Sequence, residues 1–258
     1  MRYRIAEIGH LCRTPLGRRQ LIVHLYSRAW PFFYGLARLY RRTLVRRTRV
    51  VAVVGSYGKT TTSTAIGRAL NLKRINISDK GLSQVAFSVL RMRPGQRHGV
   101  MEVAVSRLNQ MSRHAQVLHP DVVVITSIGS EHHRSLGTIA AIRDEKAKIL
   151  AGLAPGGIVI YNGDDAQVGQ MAFPFGARRI RFGFNRACDV RAINMVADWP
   201  HGTQFTLHIN KETHLIRTRC HGREMVYPIL AVFAVALAEG RDLAKTIAAV
   251  FFATPVEA

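Results

Sequence analysis

From residue 50 onward the chain alternates short apolar runs with longer amphipathic stretches. Residues 50–54 form an unbroken run of β-branched and small apolar side chains, and residues 100–103, 121–125 and 157–161 are three more short, mainly apolar runs. Runs that are apolar at consecutive rather than alternate positions predict strands buried on both faces. Residues 60–70, 108–118 and 139–150 predict helices between them, the last with basic and acidic outer positions. Strand and helix in alternation predict an α/β fold in three layers around a mostly parallel sheet.

Past residue 178 the pattern shortens. Residues 179–182, 189–196, 203–209 and 213–219 predict short antiparallel strands, with Asn210-Lys211 as a hairpin turn. Residues 225–239 and 243–252 then predict two helices parted by Gly240. The expected division is a segment 1–49, then a domain 50–258 with an antiparallel subregion at 178–220.

Residues 1–49 change the picture, because they hold twelve arginines and one acid, Glu7. Leu21, Leu25, Trp30, Phe33 and Leu36 are spaced to share one helical face, with Pro31 opening a second helix. Two readings follow. One is a basic amphipathic segment lying on an anionic membrane; the other is a helical hairpin packed on the next domain, its arginines solvated.

Composition narrows the class. Hydrophobic residues make up 48% of the 258, enough for a substantial core. A formal net charge of +21 attracts anions: nucleotides, acidic lipids or nucleic acid. No basic–aromatic nucleic-acid module stands out, so a nucleic-acid-associated ATPase ranks last among the readings. Cys12, Cys188 and Cys220 are scattered without a CxxC pair, which argues against zinc and for a reducing compartment. Glu7, His10 and Arg13 interrupt any secretory signal, and no run reaches the roughly 20 apolar residues of a membrane span. The expectation is a cytoplasmic protein, or one held peripherally on the inner membrane face.

The chemistry starts at Gly55-Ser56-Tyr57-Gly58-Lys59-Thr60-Thr61-Thr62, which follows a predicted strand and opens a predicted helix. That is the context of a phosphate-binding loop. Glycines let backbone N–H groups turn toward phosphate oxygens, and the helix start adds partial positive charge. Lys59 reaches the outer phosphates, and the Thr60 hydroxyl is a Mg²⁺ ligand. The spacing departs from GxxxxGKT, since Val53 stands where the first glycine would be.

This loop resembles the GTNGKTTT loop of the Mur ligases and their relatives, the folylpolyglutamate and poly-γ-glutamate synthetases. Met101-Glu102-Val103-Ala104 is similar to the family's strand-end motif, whose glutamate binds Mg²⁺. Thr126-Ser127-Ile128-Gly129-Ser130-Glu131-His132 resembles its TNIGxDH motif, and Gly137 and the stretch ending Asp144-Glu145-Lys146-Ala147-Lys148 continue the match. The resemblance implies that His132 helps hold a second Mg²⁺ and that Lys146 is carbamylated into a carboxylate-like ligand, with His133 a bystander. Asn162-Gly163-Asp164-Asp165 resembles a turn that lies near the nucleotide, and Phe182-Gly183 and Cys188–Ala192 resemble the opening of the small antiparallel subregion.

Taken together, the resemblance implies an ATP-dependent carboxylate–amine ligase acting through an acyl phosphate, with ATP and Mg²⁺ as cofactors, an anionic carboxylate of a cell-wall or polyglutamate-type precursor as substrate and an amino-acid or peptide amine as acceptor. Within the family, the ligases that add D-alanyl-D-alanine to the cell-wall precursor are the nearest in pattern. Lys59, Lys146 and His132 are the expected catalytic residues. Gly55, Ser56, Tyr57, Gly58, Lys59, Thr60, Thr61 and Asn162 are expected to bind nucleotide, and Thr60, Glu102, His132 and Lys146 to bind metal.

The match also departs from the pattern. Gly222–Pro228 aligns with the family's GRHNvxN stretch, but Glu224, Met225 and Pro228 replace its histidine and both asparagines. No counterpart of the family's N-terminal precursor-binding domain or C-terminal closing domain is read here. The expectation is a fragment, or a reduced relative that works with partners. The alternative function is a membrane-associated nucleotide-binding module that has lost ligation.

Overall fold

The computed structural model describes residues 14–15, 31–72, 82–131 and 136–251. Leu21, Leu25, Trp30, His132 and His133 therefore lie outside the described residues.

Helix α1 is described over residues 31–42. Strand β1 (Arg49–Val54) leads through the loop 55–58 into α2 (Lys59–Ala69), and α3 (Leu82–Leu90), β2 (His98–Glu102), α4 (Gln110–Leu118) and β3 (Val122–Ile125) follow. Next come α5 (Ile139–Ala147) with a 3₁₀ turn (Lys148–Gly152), β4 (Ile158–Asn162), α6 (Ala166–Gly169) and β5 (Arg178–Gly183). Strands β6 (Val190–Asp198), β7 (Gly202–Ile209) and β8 (Glu212–Thr218) precede α7 (Arg223–Ala238) and α8 (Leu243–Phe251).

All eight strands join one sheet in the order β2-β1-β3-β4-β5-β6-β7-β8. Strand β1 is buried almost throughout and pairs in parallel with β2 on one side and β3 on the other. The chain thus reverses its direction of winding around β1, and ligands of open α/β sheets bind outside such a switch point, at the carboxyl ends of the strands. Val50, Ala52 and Val54 face a core shared with α1, α3, α4 and α5. Val51 and Val53 face the other core, filled largely by α7 with Leu230, Val232 and Phe233. The two cores and the sheet between them are the three layers expected.

The expected antiparallel subregion is corrected at its start. Strand β5 pairs in parallel with β4, and β6 begins in parallel with β5; only β6, β7 and β8 are antiparallel to one another. They extend the main sheet and form no second one. The hairpin turn stands where expected: Asn210 and Lys211 both have positive φ, 52° and 66°, which matches the right-handed twist of the flanking strands. Helix α3 was not anticipated.

Residues 31–48 pack on this domain through an unexpected residue. Arg41 is buried, and its guanidinium donates to the carbonyls of Leu118, His119 and Val45 and to the Asp121 carboxylate at 3.0 Å. It thereby satisfies the carbonyls at the end of α4, which have no partner within that helix. Tyr34 and Tyr40 donate to the carbonyls of Arg113 and Met92. Phe33 meets Phe87 at 5.2 Å, whereas Leu36, expected on the same apolar face, points outward.

Candidate functional site

The site assembles at the carboxyl ends of β1, β2, β3 and β4. Gly55 is dictated by crowding: a Cβ there would stand 2.0 Å from Thr126 Oγ1, with φ at +153°. Gly58 (φ +74°) ends the loop in the left-handed region and caps α2 without a side-chain hydrogen bond. The N–H groups opening α2 are thus left facing the loop with no side-chain cap, the arrangement that binds anions.

The segment after β3 wraps this loop. Ser56 N–H donates to Ser127 O at 2.7 Å, Ser56 Oγ accepts from Gly129 N–H at 2.8 Å, and Thr126 Oγ1 donates to Tyr57 O at 2.7 Å. A side chain at residue 129 would strike the Tyr57 ring at 2.5 Å, so Gly129 is fixed by the same closeness.

The charged groups at the loop are engaged within the site, and Lys59 and Lys146 share Glu131 and Ser56. Lys59 Nζ donates to Ser56 O at 2.7 Å and pairs with Glu131 Oε2 at 2.9 Å. The Thr60 hydroxyl donates to the Glu102 carboxylate at 2.7 Å. Lys146, buried on α5, donates to Gly55 O and to Ser56 Oγ and stands 3.9 Å from Glu131. Burial, with the nearby Lys59 charge adding to it, lowers the Lys146 pKa to about 7. The neighbouring Lys148 instead reaches Glu145 and Asn109. Of these two lysines, Lys146 faces the phosphate loop and Lys148, in the 3₁₀ turn, does not.

A cavity of about 350 Å³ lies beside the loop, lined by Tyr57, Asn162, Phe182, Tyr227 and Pro228 among others. Thr62 also lines it. Asn162 closes β4 and accepts from Asp164 N–H at 3.0 Å. The two aspartates of the turn are tied internally. Asp164 accepts from Phe184 N–H, Asn185 N–H and the Tyr227 hydroxyl, while Asp165 caps α6 and accepts from Ile128 N–H at 2.9 Å. They position the cavity wall. Arg223 stacks over Phe184 at 4.2 Å.

The structure therefore brings Gly55, Ser56, Tyr57, Gly58, Lys59, Thr60, Glu102 and Lys146 together, with Asn162 on the adjoining wall. Glu131 and Tyr227 are additions to the expected set. Glu131 sat in a motif already singled out, whereas Tyr227 lay in the stretch that departs from the family pattern. Among the described residues no three His, Cys, Asp or Glu side chains are grouped to hold a metal. The donors at hand are the Thr60 hydroxyl and the Glu102 carboxylate. Two hard oxygens beside a phosphate seat fit Mg²⁺, which keeps several waters and takes its other ligands from phosphates.

Comparison with known proteins agrees with this geometry. The family described as Mur ligase middle domain matches residues 53–236. The UDP-N-acetylmuramoyl-tripeptide–D-alanyl-D-alanine ligase of Bacillus subtilis (strain 168) is 29% identical over 185 residues, covering 70% of this chain and 39% of that protein. A crystal structure of MurF from Acinetobacter baumannii superposes with a TM-score of 0.78 at 24% identity, over 87% of this chain and 50% of that one. MurF ligase from Thermotoga maritima, solved in complex with ADP, gives a TM-score of 0.76 at 22% identity, over 88% of this chain and 52% of that one. At such identities the two structures establish the fold. The chain spans about 40% of the curated relatives named first and about half of these solved chains.

Proposed function

Since the chain belongs to the Mur ligase family through its middle domain, we propose that it is the ATP-handling part of a carboxylate–amine ligase acting on a cell-wall-type precursor. The observation that carries this reading is the convergence of Lys59, Thr60, Glu102 and Lys146 on one uncapped helix start. ATP would lie with its phosphates against the N–H groups of the loop and its nucleoside in the cavity walled by Asn162 and Tyr227. Lys59 would leave Glu131 for the outer phosphates and offset the charge that builds up as the phosphoryl group moves to the substrate carboxylate. The amine then attacks the acyl phosphate, forming the amide and releasing phosphate, with ADP the other product.

Thr60 and Glu102 would hold Mg²⁺, which supplies charge neutralisation at the phosphates when bound. Lys146 is the residue we assign to carbamylation: its amine is buried and faces the loop, and a carbamate there would turn a repelling cation into an oxygen ligand. His132 is assigned with it on the motif alone. We assign residues 1–49 to attachment, to an anionic membrane surface or to a partner protein.

The test is trapping. Incubation with ATP, Mg²⁺, candidate acids and hydroxylamine should yield ADP and a hydroxamate in equal amounts. ADP bound tightly with no acid-dependent turnover, for every acid and amine offered, would overturn ligation. It would favour the nucleotide-binding module, a reading that the replacements Glu224 and Pro228 at the cavity wall support.

A further inference from the structure

Helix α1 is fixed on its inner side and apolar on its outer side. Ala37 is fully buried, and Arg41, Tyr34 and Tyr40 bind the helix to α4, to the start of β3 and to the residues after α3. Outward, Phe32, Leu36 and Leu39 are 69%, 41% and 60% exposed. Their spacing of four and three residues places them on one helical stripe. Leu44, just past the helix, is 63% exposed.

The rim of this stripe is basic. Arg42, Arg46 and Arg47 are exposed on the same segment. Arg113, whose carbonyl binds Tyr34, and Arg93, next to the Met92 carbonyl that binds Tyr40, are exposed on the adjoining elements. Across the described residues 31–72 and 82–120 the single acid is Glu102, which belongs to the phosphate site at the other end of the sheet. Asp121 is engaged by Arg41. An apolar stripe inside a basic, acid-free border matches the boundary between lipid phosphates and acyl chains. A second copy of the chain is a poor occupant, because it would press two such borders together between molecules of net charge +21.

We propose that the outer face of α1 docks on an anionic bilayer. Phe32, Leu36 and Leu39 enter the acyl boundary, and Arg42, Arg46 and Arg47 pair with lipid phosphates. This deepens the assignment of residues 1–49 to attachment and does not depend on the ligase chemistry. Arg41 pins the end of α1 at the amino-terminal end of β3, whereas the phosphate loop sits at the carboxyl ends of the strands. Docking therefore leaves the nucleotide site open to the aqueous side.

The experiment is co-sedimentation of the full chain with vesicles of phosphatidylcholine alone and of phosphatidylcholine with about a third phosphatidylglycerol. The parent should bind the anionic vesicles and fail on the neutral ones. The variant Phe32→Ser/Leu36→Ser/Leu39→Ser keeps every arginine, and its partition should fall at least ~10-fold with an unchanged melting temperature. Four results would overturn the proposal. The parent does not bind anionic vesicles. The triple variant binds as well as the parent, so that charge or residues 1–30 alone carry attachment. The parent is a dimer that the variant dissociates, while vesicle binding stays the same. The variant melts several degrees lower and vesicle binding is absent in both, so that the face is covered by the chain itself.

Discussion

Replacing Glu131 by glutamine should tighten nucleotide binding. The Glu131 carboxylate lies 2.9 Å from Lys59 Nζ and 3.9 Å from Lys146 Nζ, so it competes with a phosphate oxygen for the same cations. A hydrogen bond to a charged group contributes roughly 1.5–3 kcal/mol. The Glu131 side chain is 26% exposed, so solvent screening brings the figure down to ~1–2 kcal/mol. ADP must break this pair before Lys59 can serve it. Glutamine keeps the shape and removes the charge, so the ADP Kd should drop about 5- to 30-fold. The measurement is calorimetric titration with ADP in EDTA at fixed ionic strength, beside a melting curve to show an intact fold. An equal or weaker affinity in Glu131→Gln, with the melting temperature unchanged, would refute the idea that Glu131 competes for the phosphate seat.

Lys59→Ala should abolish detectable ADP binding and leave the fold intact; retained affinity would remove the loop from the site. Lys146→Ala should turn over slowly and regain part of its activity with a small added carboxylic acid, whereas full activity without the additive would exclude a metal-ligating carbamate. Arg41→Ala should cost about 2–4 kcal/mol in urea unfolding, since two helix-end carbonyls and Asp121 lose their charged donor; a change below ~0.5 kcal/mol would show that α1 is not integral to the domain. Glu239, after α7, meets Arg49 and His98 at 2.8 and 3.0 Å. Burial alone would raise its pKa, but hydrogen bonds from His98 and Arg49 outweigh that and lower it to about 2. A depressed carboxylate stabilises the fold above its unfolded value, and that contribution, ~3 kcal/mol, is lost as pH falls from about 4.5 to 2. Glu239→Gln should be less stable at pH 7 and should show a flatter stability profile across that acid window.

The β1–loop–α2 unit was legible because its signals are local: a β-branched run, then glycines, then a lysine with threonines. Strand direction after residue 178 was not, because a short run such as Arg179–Phe182 looks the same whether its neighbour runs with it or against it. Only the connection through α6 makes β5 parallel. Helix α3, LSQVAFSVL, carries no charge to mark an outer face, so its helical period was hidden. Arg41 defeats any pattern rule, since an arginine reads as solvated until the helix-end carbonyls it serves are in view. The choice between Lys146 and Lys148 rested on resemblance until the packing of α5 turned one inward and left the other beside Glu145. Glu131 was visible as part of a motif, but its contact with Lys59 joins residues 72 apart in the chain.

That separation bears on how the protein emerges from the ribosome. Ser127, Gly129, Glu131 and Lys146, which hold the phosphate loop in shape, are synthesised 70 to 91 residues after it. At ordinary elongation speeds of ~5–20 residues per second the loop waits roughly 4–18 s for them. Strand β1 waits as well, since its partner β3 is synthesised only after β2 and α4. A translational pause before residue 122 would leave the apolar β1 without its β3 partner and prone to association.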